Sequence, residues 1–151
     1  MLRISKKLMF AIEAVLDIAY NAGSEPVQSG EITRRQGIPK RYLEQVLQQL
    51  VRAGVLAGVR GPRGGYRLAR ERRRINIGEI VRVVRAMETA SDPVEEPTGS
   101  ILGLKVVRPI WMQLQDDCMA RLDEITVEDL CLRANQAGIE SESHSKIDFS
   151  I

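Results

Sequence analysis

Basic and amide side chains occupy one face of a predicted helix at residues 40–52, and their chemistry suits the edges of nucleic-acid bases. The apolar residues recur at the period of one buried helical stripe and are Leu43, Val46, Leu47, Leu50 and Val51. The opposite face carries Lys40, Arg41, Glu44, Gln45, Gln48, Gln49 and Arg52. Arginine and glutamine side chains pair bidentately with guanine and adenine. The pattern therefore predicts a helix that enters the major groove of double-stranded DNA.

A glycine-rich basic loop follows this helix, and its residues are Arg60, Gly61, Pro62, Arg63, Gly64 and Gly65. Short strands are predicted on either side of it, at residues 55–60 and 66–69. Glycine lets a loop approach another surface closely, because it carries no side chain. Upstream, a short helix is predicted with Ser29 as its N-cap and Gly37 at its end. This order predicts a helix-turn-helix followed by a basic wing.

Two more helices complete the first part of the chain. One is predicted at residues 4–21, where apolar residues recur at helical period. Another begins where Asn76 and Glu79 match a capping box, in which each side chain bonds the other residue's backbone N–H. The fold class is therefore mainly α with a small β-wing, and residues 1–88 are expected to form a winged helix-turn-helix domain.

The second part of the chain contains a linker, two helices and a tail. A polar linker with prolines is predicted at residues 89–100, followed by a long helix at residues 101–122. Its apolar stripe consists of Val107, Ile110, Trp111, Leu114, Cys118 and Leu122. Thr126 with Asp129 is expected to cap a last helix, and the polar residues 138–151 are expected to form a disordered tail.

Charge is divided unevenly along the chain. Residues 1–88 hold 17 Lys and Arg against 8 Asp and Glu, a net charge of +9. Residues 89–151 hold 5 against 12, a net charge of −7. A basic half suits a polyanion, whereas an acidic half is expected to face elsewhere.

The two cysteines, Cys118 and Cys131, fit a reducing compartment and no disulfide framework. Cys118 lies one turn after Leu114 on an apolar stripe and Cys131 follows Leu130, which favours burial, with thiol sensing as the alternative. The sole histidine, His144, lies in the tail and is expected to face solvent. No apolar run approaches the roughly 18 residues of a membrane span. We therefore expect a soluble, cytoplasmic protein without a membrane partner.

From residue 3 to about residue 137, the sequence resembles the IscR/NsrR/CymR family of bacterial winged-helix transcription regulators. The resemblance is strongest at residues 36–45, which include the Tyr42-Leu43-Glu44-Gln45 pattern, and at residues 59–69 around the wing tip. A further match lies at residues 125–130, after the long helix. The resemblance implies a DNA-binding transcription regulator, expected to act as a repressor.

The resemblance also implies a homodimer on a near-palindromic operator, with residues 101–137 as the dimerisation helices. By position, it assigns DNA contacts to Arg3, Ser5, Lys7, Ser29, Lys40, Arg41, Tyr42, Glu44, Gln45, Arg60, Gly61, Pro62 and Arg63. It assigns the dimer interface to Val107, Ile110, Trp111, Leu114, Cys118 and Leu122. Trp111 is equally compatible with a place in the core.

The chain departs from the family where many members bind an iron–sulfur cluster through three cysteines. The corresponding segment, residues 88–105, contains no cysteine, and thiolates are what hold such clusters. Arg108 and Met9 stand where branches of the family place additional ligands. We therefore expect no cofactor and no metal site. Arg63 stands where glycine is commoner, and its charge favours phosphate or a narrow minor groove.

Other classes of function are less well supported. The carboxylates at Asp116-Asp117 and Asp123-Glu124 have no histidine or pocket partner, so no enzyme is expected. The basic run at residues 70–74 fits a solvated turn or a phosphate contact. A scaffold that binds a regulatory protein, as in a CymR-like branch, is the main alternative, and a small-molecule effector is a further possible partner. RNA binding is disfavoured because no aromatic stacking platform is present.

Overall fold

The computed structural model describes residues 4–88 and 99–143. Three helices open the chain: α1 (Lys6–Asn21), α2 (Ser29–Gln36) and α3 (Lys40–Arg52). Strands β1 (Leu56–Val59) and β2 (Gly65–Leu68) form an antiparallel hairpin in which Leu56 pairs with Leu68. A short 3₁₀ turn, Arg72–Arg74, precedes α4 (Ile77–Met87). The predicted fold class, mainly α with a small β-wing, is confirmed.

The C-terminal part is also helical. A π-helical turn, Gly103–Val107, leads into α5 (Arg108–Glu124), and α6 (Val127–Gln136) follows after two residues. The helical stretch runs from residue 101 to residue 124, which confirms the long helix predicted at residues 101–122. The expected linker at residues 89–100 falls largely outside the described residues.

Capping side chains set the starts of α4 and α6 where the sequence placed them. Asn76 and Thr126 both cap through a capping box, in which Asn76 Oδ1 accepts from the N–H of Glu79 at 3.0 Å. The prediction for α2 was wrong by one residue, since Ser29 lies inside the helix. The backbone N–H of Gln28 donates to Glu31 Oε2 at 3.0 Å, and this contact moves the N-cap to Gln28.

The core lies where α1, α3 and α4 meet. The largest fully buried side chains come from these helices and the segments that join them, and they include Ile18, Ile32, Ile38, Leu43, Leu47, Leu50, Leu56, Ile75 and Ile80. Because the apolar stripe of α3 is buried in this core, the opposite face of α3 must point outward.

The sequence predicted that residues 138–143 begin a disordered tail, and this prediction was wrong for these residues. Ser141 is buried and its hydroxyl donates to the carbonyl of Tyr20 at 2.6 Å. Glu142 accepts from Arg35 at 2.5 Å and from Arg34 at 2.9 Å. These contacts hold the segment against α1 and α2. The rest of the expected tail, including His144, lies outside the described residues.

Within residues 4–88 and 99–143, no helix has both the length and the apolar character that crossing a membrane requires.

Candidate nucleic-acid interface

The outer face of α3 is polar and exposed, as the sequence predicted. Leu43 and Leu47 are fully buried, whereas Lys40, Arg41 and Gln45 are exposed. Glu44 and Gln48 are exposed on the same outer surface. The helix therefore presents donors and acceptors over about three turns to a partner outside the chain.

The cations at the start of α3 and just after β1 have no ion-pair partners within residues 4–88 and 99–143. Among the described residues, no carboxylate lies within salt-bridge distance of Lys40, Arg41 or Arg60. The basic run at residues 70–74 differs, since Arg70 pairs with Glu79 at 2.8 Å. In the same run, Arg73 pairs with Glu71 at 2.7 Å. Positive charge is thus left uncompensated at Lys40, Arg41 and Arg60, whereas Arg70 and Arg73 of the basic run pair within the chain.

Tyr42 lies between α3 and α1 and not on the open face. Its hydroxyl donates to the backbone carbonyl of Lys7, and its ring centroid lies 6.1 Å from that of Phe10. Burial, with the negative charge of Glu88, raises the pKa of Tyr42 to about 12. The contact places Lys7, a predicted DNA contact, beside the start of α3. A direct contact of Tyr42 with DNA stays a prediction.

The N-terminal residues assigned to DNA lie near the starts of α1 and α2. Ser5 is exposed, and its Oγ caps α1 by accepting from the N–H of Leu8 at 3.1 Å. Lys7 is exposed, and Ser29 is half-buried in the first turn of α2. Arg3 lies outside the described residues.

Two glycines of the wing, Gly64 and Gly65, leave no room for a side chain. A Cβ at Gly64 would lie 2.3 Å from the carbonyl oxygen of Val59, and one at Gly65 would lie 2.4 Å from that of Val27. Two backbone hydrogen bonds between Val27 and Tyr66, of 2.9 and 2.7 Å, fasten the hairpin to the segment before α2. The wing is therefore held in a fixed place beside the helix-turn-helix.

The tip of the wing is exposed and basic. Gly61 has a φ of 110°, a conformation that favours glycine, and Arg60 and Pro62 beside it are exposed. The Arg63 side chain is 86% exposed and lies 3.5 Å from Glu25. Because an exposed pair of this kind is weak, Arg63 can exchange it for a phosphate.

An internal ion-pair network supports α2, and the sequence reasoning missed it. Asp17 is buried within α1 and accepts from Arg35 at 2.7 and 2.8 Å. Gln36 donates to the same carboxylate at 2.8 Å, and Arg35 also contacts Glu142. The available signal was an aspartate between Leu16 and Ile18, in a helix whose other buried residues are apolar.

The apolar stripe of α5 divides into two faces. Leu122 packs against the core of its own chain and Trp111 is half-buried. The other members are exposed, and they are Val107, Ile110, Leu114 and Cys118. The prediction that Cys118 lies in the core was therefore wrong, since Cys118 is exposed in the single chain. Cys131 is buried, as predicted. An exposed row of large apolar side chains is typical of a protein interface.

The described residues contain no cluster of three or more His, Cys, Asp or Glu side chains that could hold a metal ion. The two cysteines differ in setting, since Cys118 is exposed on α5 and Cys131 is buried on α6. Burial raises the pKa of the Cys131 thiol, although Arg72 opposes the shift. A raised pKa disfavours the thiolate that a cluster needs.

Comparison with known proteins gives consistent matches over nearly the whole chain. The family model Rrf2, described as an iron-dependent transcriptional regulator, matches residues 4–133. The HTH-type transcriptional regulator IscR of Cronobacter sakazakii is 32% identical over 146 residues, covering 96% of this chain and 90% of the relative. IscR of Escherichia coli O1:K1 is 31% identical over 145 residues, covering 95% and 89%.

Solved structures show the same likeness. IscR of T. potens superposes with a TM-score of 0.71 at 33% identity, covering 89% of this chain and 90% of that chain. CymR, the global cysteine regulator of B. subtilis, superposes with a TM-score of 0.69 at 29% identity, covering 88% and 98%.

Proposed function

Since this chain belongs to the Rrf2 family of DNA-binding transcriptional regulators, we propose that it acts as a homodimeric repressor without an iron–sulfur cluster. The observation that carries the proposal is the outer face of α3, where Lys40, Arg41 and Gln45 are exposed and the two cations have no ion-pair partner among the described residues. A surface that only faces water does not require unpaired cations and an amide side chain next to a basic wing. A surface that binds DNA does require them.

The two parts of this surface have different tasks. Arg41 and Gln45, near the start of α3, can hydrogen-bond base edges in the major groove and so select sequence. Arg60 and Arg63 on the wing contact phosphates or the minor groove, which adds affinity without selecting sequence strongly. Tyr42 holds α3 against α1. Lys7 then contacts the DNA phosphate backbone beside the major groove that α3 enters.

Dimer formation is supported by the exposed apolar residues of α5. Ile110 and Leu114 are 58% and 45% exposed, and Val107 on the same face is 60% exposed. A second copy of α5, related by a two-fold axis, covers this face and places two α3 helices toward successive major grooves. Repression follows when the bound dimer occupies a promoter and excludes other proteins from it.

The cysteines do not fit the cluster that the family description suggests. Many family members use three cysteines before the dimer helix, and this chain has two in all, on α5 and α6. Cys131 is buried with a raised pKa, which opposes thiolate coordination. We therefore assign no role to iron, and a small-molecule effector, a regulatory protein or thiol oxidation supplies the signal.

The proposal is tested by mixing the purified protein with fragmented genomic DNA and sequencing the bound fragments. We expect a small set of promoters that share a two-fold-symmetric motif. The Arg41→Ala/Gln45→Ala double variant should lose this selection, whereas Arg121→Ala, on the exposed part of α5, should keep it. Selection unchanged by the double variant, or no selection by the wild type, would contradict the proposal, and the second result would favour the scaffold alternative.

A further inference from the structure

The end of α5 meets the start of α4 in a close contact of three residues. Arg82 donates two hydrogen bonds to the carboxylate of Asp123, from Nη1 to Oδ1 at 2.8 Å and from Nη2 to Oδ2 at 2.7 Å. A Cβ at Gly78 would lie 1.8 Å from Oδ1 of Asp123. The carboxylate therefore sits where any other residue at position 78 would place its side chain.

The backbone fixes the same junction from the other side. Residues 75–77 run antiparallel to residues 125–127, with Asn76 opposite Thr126. The two flanking backbone hydrogen bonds are both 2.8 Å long. Since Asn76 caps α4 and Thr126 caps α6, two helices start from this pairing. The C-terminal end of α5 is thus held at several points, while its N-terminal half carries the exposed apolar face.

The ion pair itself adds little stability, because it is exposed. Side-chain exposure is 54% for Arg82 and 37% for Asp123, and exposed pairs contribute little. Its bidentate form instead gives a defined direction between two helices. Asp123 also lies beside the N-terminus of α4, where a negative charge is favoured. The contact is therefore suited to fixing the angle between α4 and α5.

We propose that the contact of Asp123 with Arg82 and Gly78 fixes the angle between α5 and the DNA-reading domain, and thereby selects the half-site spacing that the dimer accepts. This inference rests on the proposed dimer function. Seventeen residues make α5 about 25 Å long, so a rotation of about 10° at one end displaces the other by roughly 4 Å. That displacement is close to the roughly 3.4 Å rise of one base pair.

The test measures binding to duplexes that carry two half-sites from the selected promoters, with the spacer shortened or lengthened by a base pair. Linked sites bind on the order of 100-fold more tightly than single sites only when both can be engaged together. We expect the wild type to prefer one spacing by about that factor and Asp123→Ala to reduce the preference to about tenfold or less. The matched control is Glu124→Ala, which removes the adjacent carboxylate and its 3.4 Å contact with Arg121.

A second pair of variants tests the close approach at Gly78. Gly78→Ala should disturb spacing preference in the wild type and add little in the Asp123→Ala background, because the carboxylate it displaces is already gone. Affinity for a single half-site and the dimer fraction in sedimentation should stay unchanged in all of them. Where Gly78→Ala fails to fold, Arg82→Ala takes its place.

Two results would overturn the inference: an unchanged spacing preference in folded Asp123→Ala and Arg82→Ala, or an equal loss of affinity for single and paired half-sites. A wild type that shows no gain from a second half-site would contradict the dimeric function itself. The two failures are therefore distinguishable.

Discussion

The hydroxyl of Tyr42 donates a hydrogen bond to the backbone carbonyl of Lys7, and this contact joins the start of α3 to the first turn of α1. Phe10 packs beside the Tyr42 ring, so the phenol is held partly out of water. One side chain thereby joins α3 to the basic first turn of α1.

Alkaline pH should weaken the fold through Tyr42. Its pKa is raised from 10.0 to about 12 by burial first and by Glu88 second, so the folded state retains a proton that the unfolded state loses. The stabilisation is fully present below about pH 10 and is lost as pH rises through about 12. Denaturant unfolding between these pH values should show falling stability, and Tyr42→Phe should flatten that slope.

Ultraviolet absorbance of tyrosinate identifies the group directly. The tyrosinate absorbance step near pH 12 should disappear in Tyr42→Phe. A Tyr42 that ionises near the ordinary value of about 10 would contradict the burial argument.

A single charged residue on the exposed apolar face of α5 should prevent dimer formation. Leu114→Asp places a carboxylate among Val107 and Ile110, where an unpaired charge cannot be buried cheaply, so sedimentation should show monomers. Met112→Asp is the matched control, because Met112 is 51% exposed and lies about 200° from Leu114 around the helix. A wild-type monomer at micromolar concentration, or equal effects of the two variants, would argue against this interface.

Iron should be absent from protein purified without oxygen. Only Cys118 and Cys131 are available, on separate helices, and a cluster needs several converging thiolates. Iron and sulfide assays with a visible spectrum provide the measurement. Stoichiometric iron with charge-transfer bands that vanish in Cys118→Ala or Cys131→Ala would show the opposite.

The reading helix and the wing should respond differently to substitution. Gln45→Ala should cost about 1–3 kcal/mol mainly on the selected site, because a base contact is lost. Arg63→Ala should weaken binding to all duplexes and lower the salt slope by about one, because a phosphate contact is lost. Binding titrations over a range of salt concentrations, on selected and scrambled duplexes, separate the two. Equal losses on both duplexes for both variants would be inconsistent with the division.

Local patterns in the sequence were sufficient to predict most of the elements. The apolar period of α3 follows from burial on one side, and the capping boxes at Asn76 and Thr126 depend on residues three positions apart. The glycines of the wing likewise act through their immediate backbone. The outer face of α3 was predictable because it is the complement of the buried stripe.

Contacts between distant segments were not predictable in the same way. Arg35 meets both Asp17 and Glu142 only because α1, α2 and residues 139–143 pack together. The apolar pattern of α5 did not predict that Leu122 packs against the core while Leu114 is exposed. Which residues of the stripe are buried depends on the angle between α5 and α4. The pairing of Asp123 with Arg82 was not predicted, because it also depends on how α5 packs against α4.

Hydroxyl-radical footprinting of the purified wild type on a selected promoter tests the central claim most directly, namely that this chain reads DNA as a symmetric pair of winged helices. We predict two protected regions related by a two-fold axis, with centres about one helical turn or a multiple apart, both lost in the Arg41→Ala/Gln45→Ala variant. A single protected region, protection that spreads evenly along the duplex, or no protection would contradict the claim.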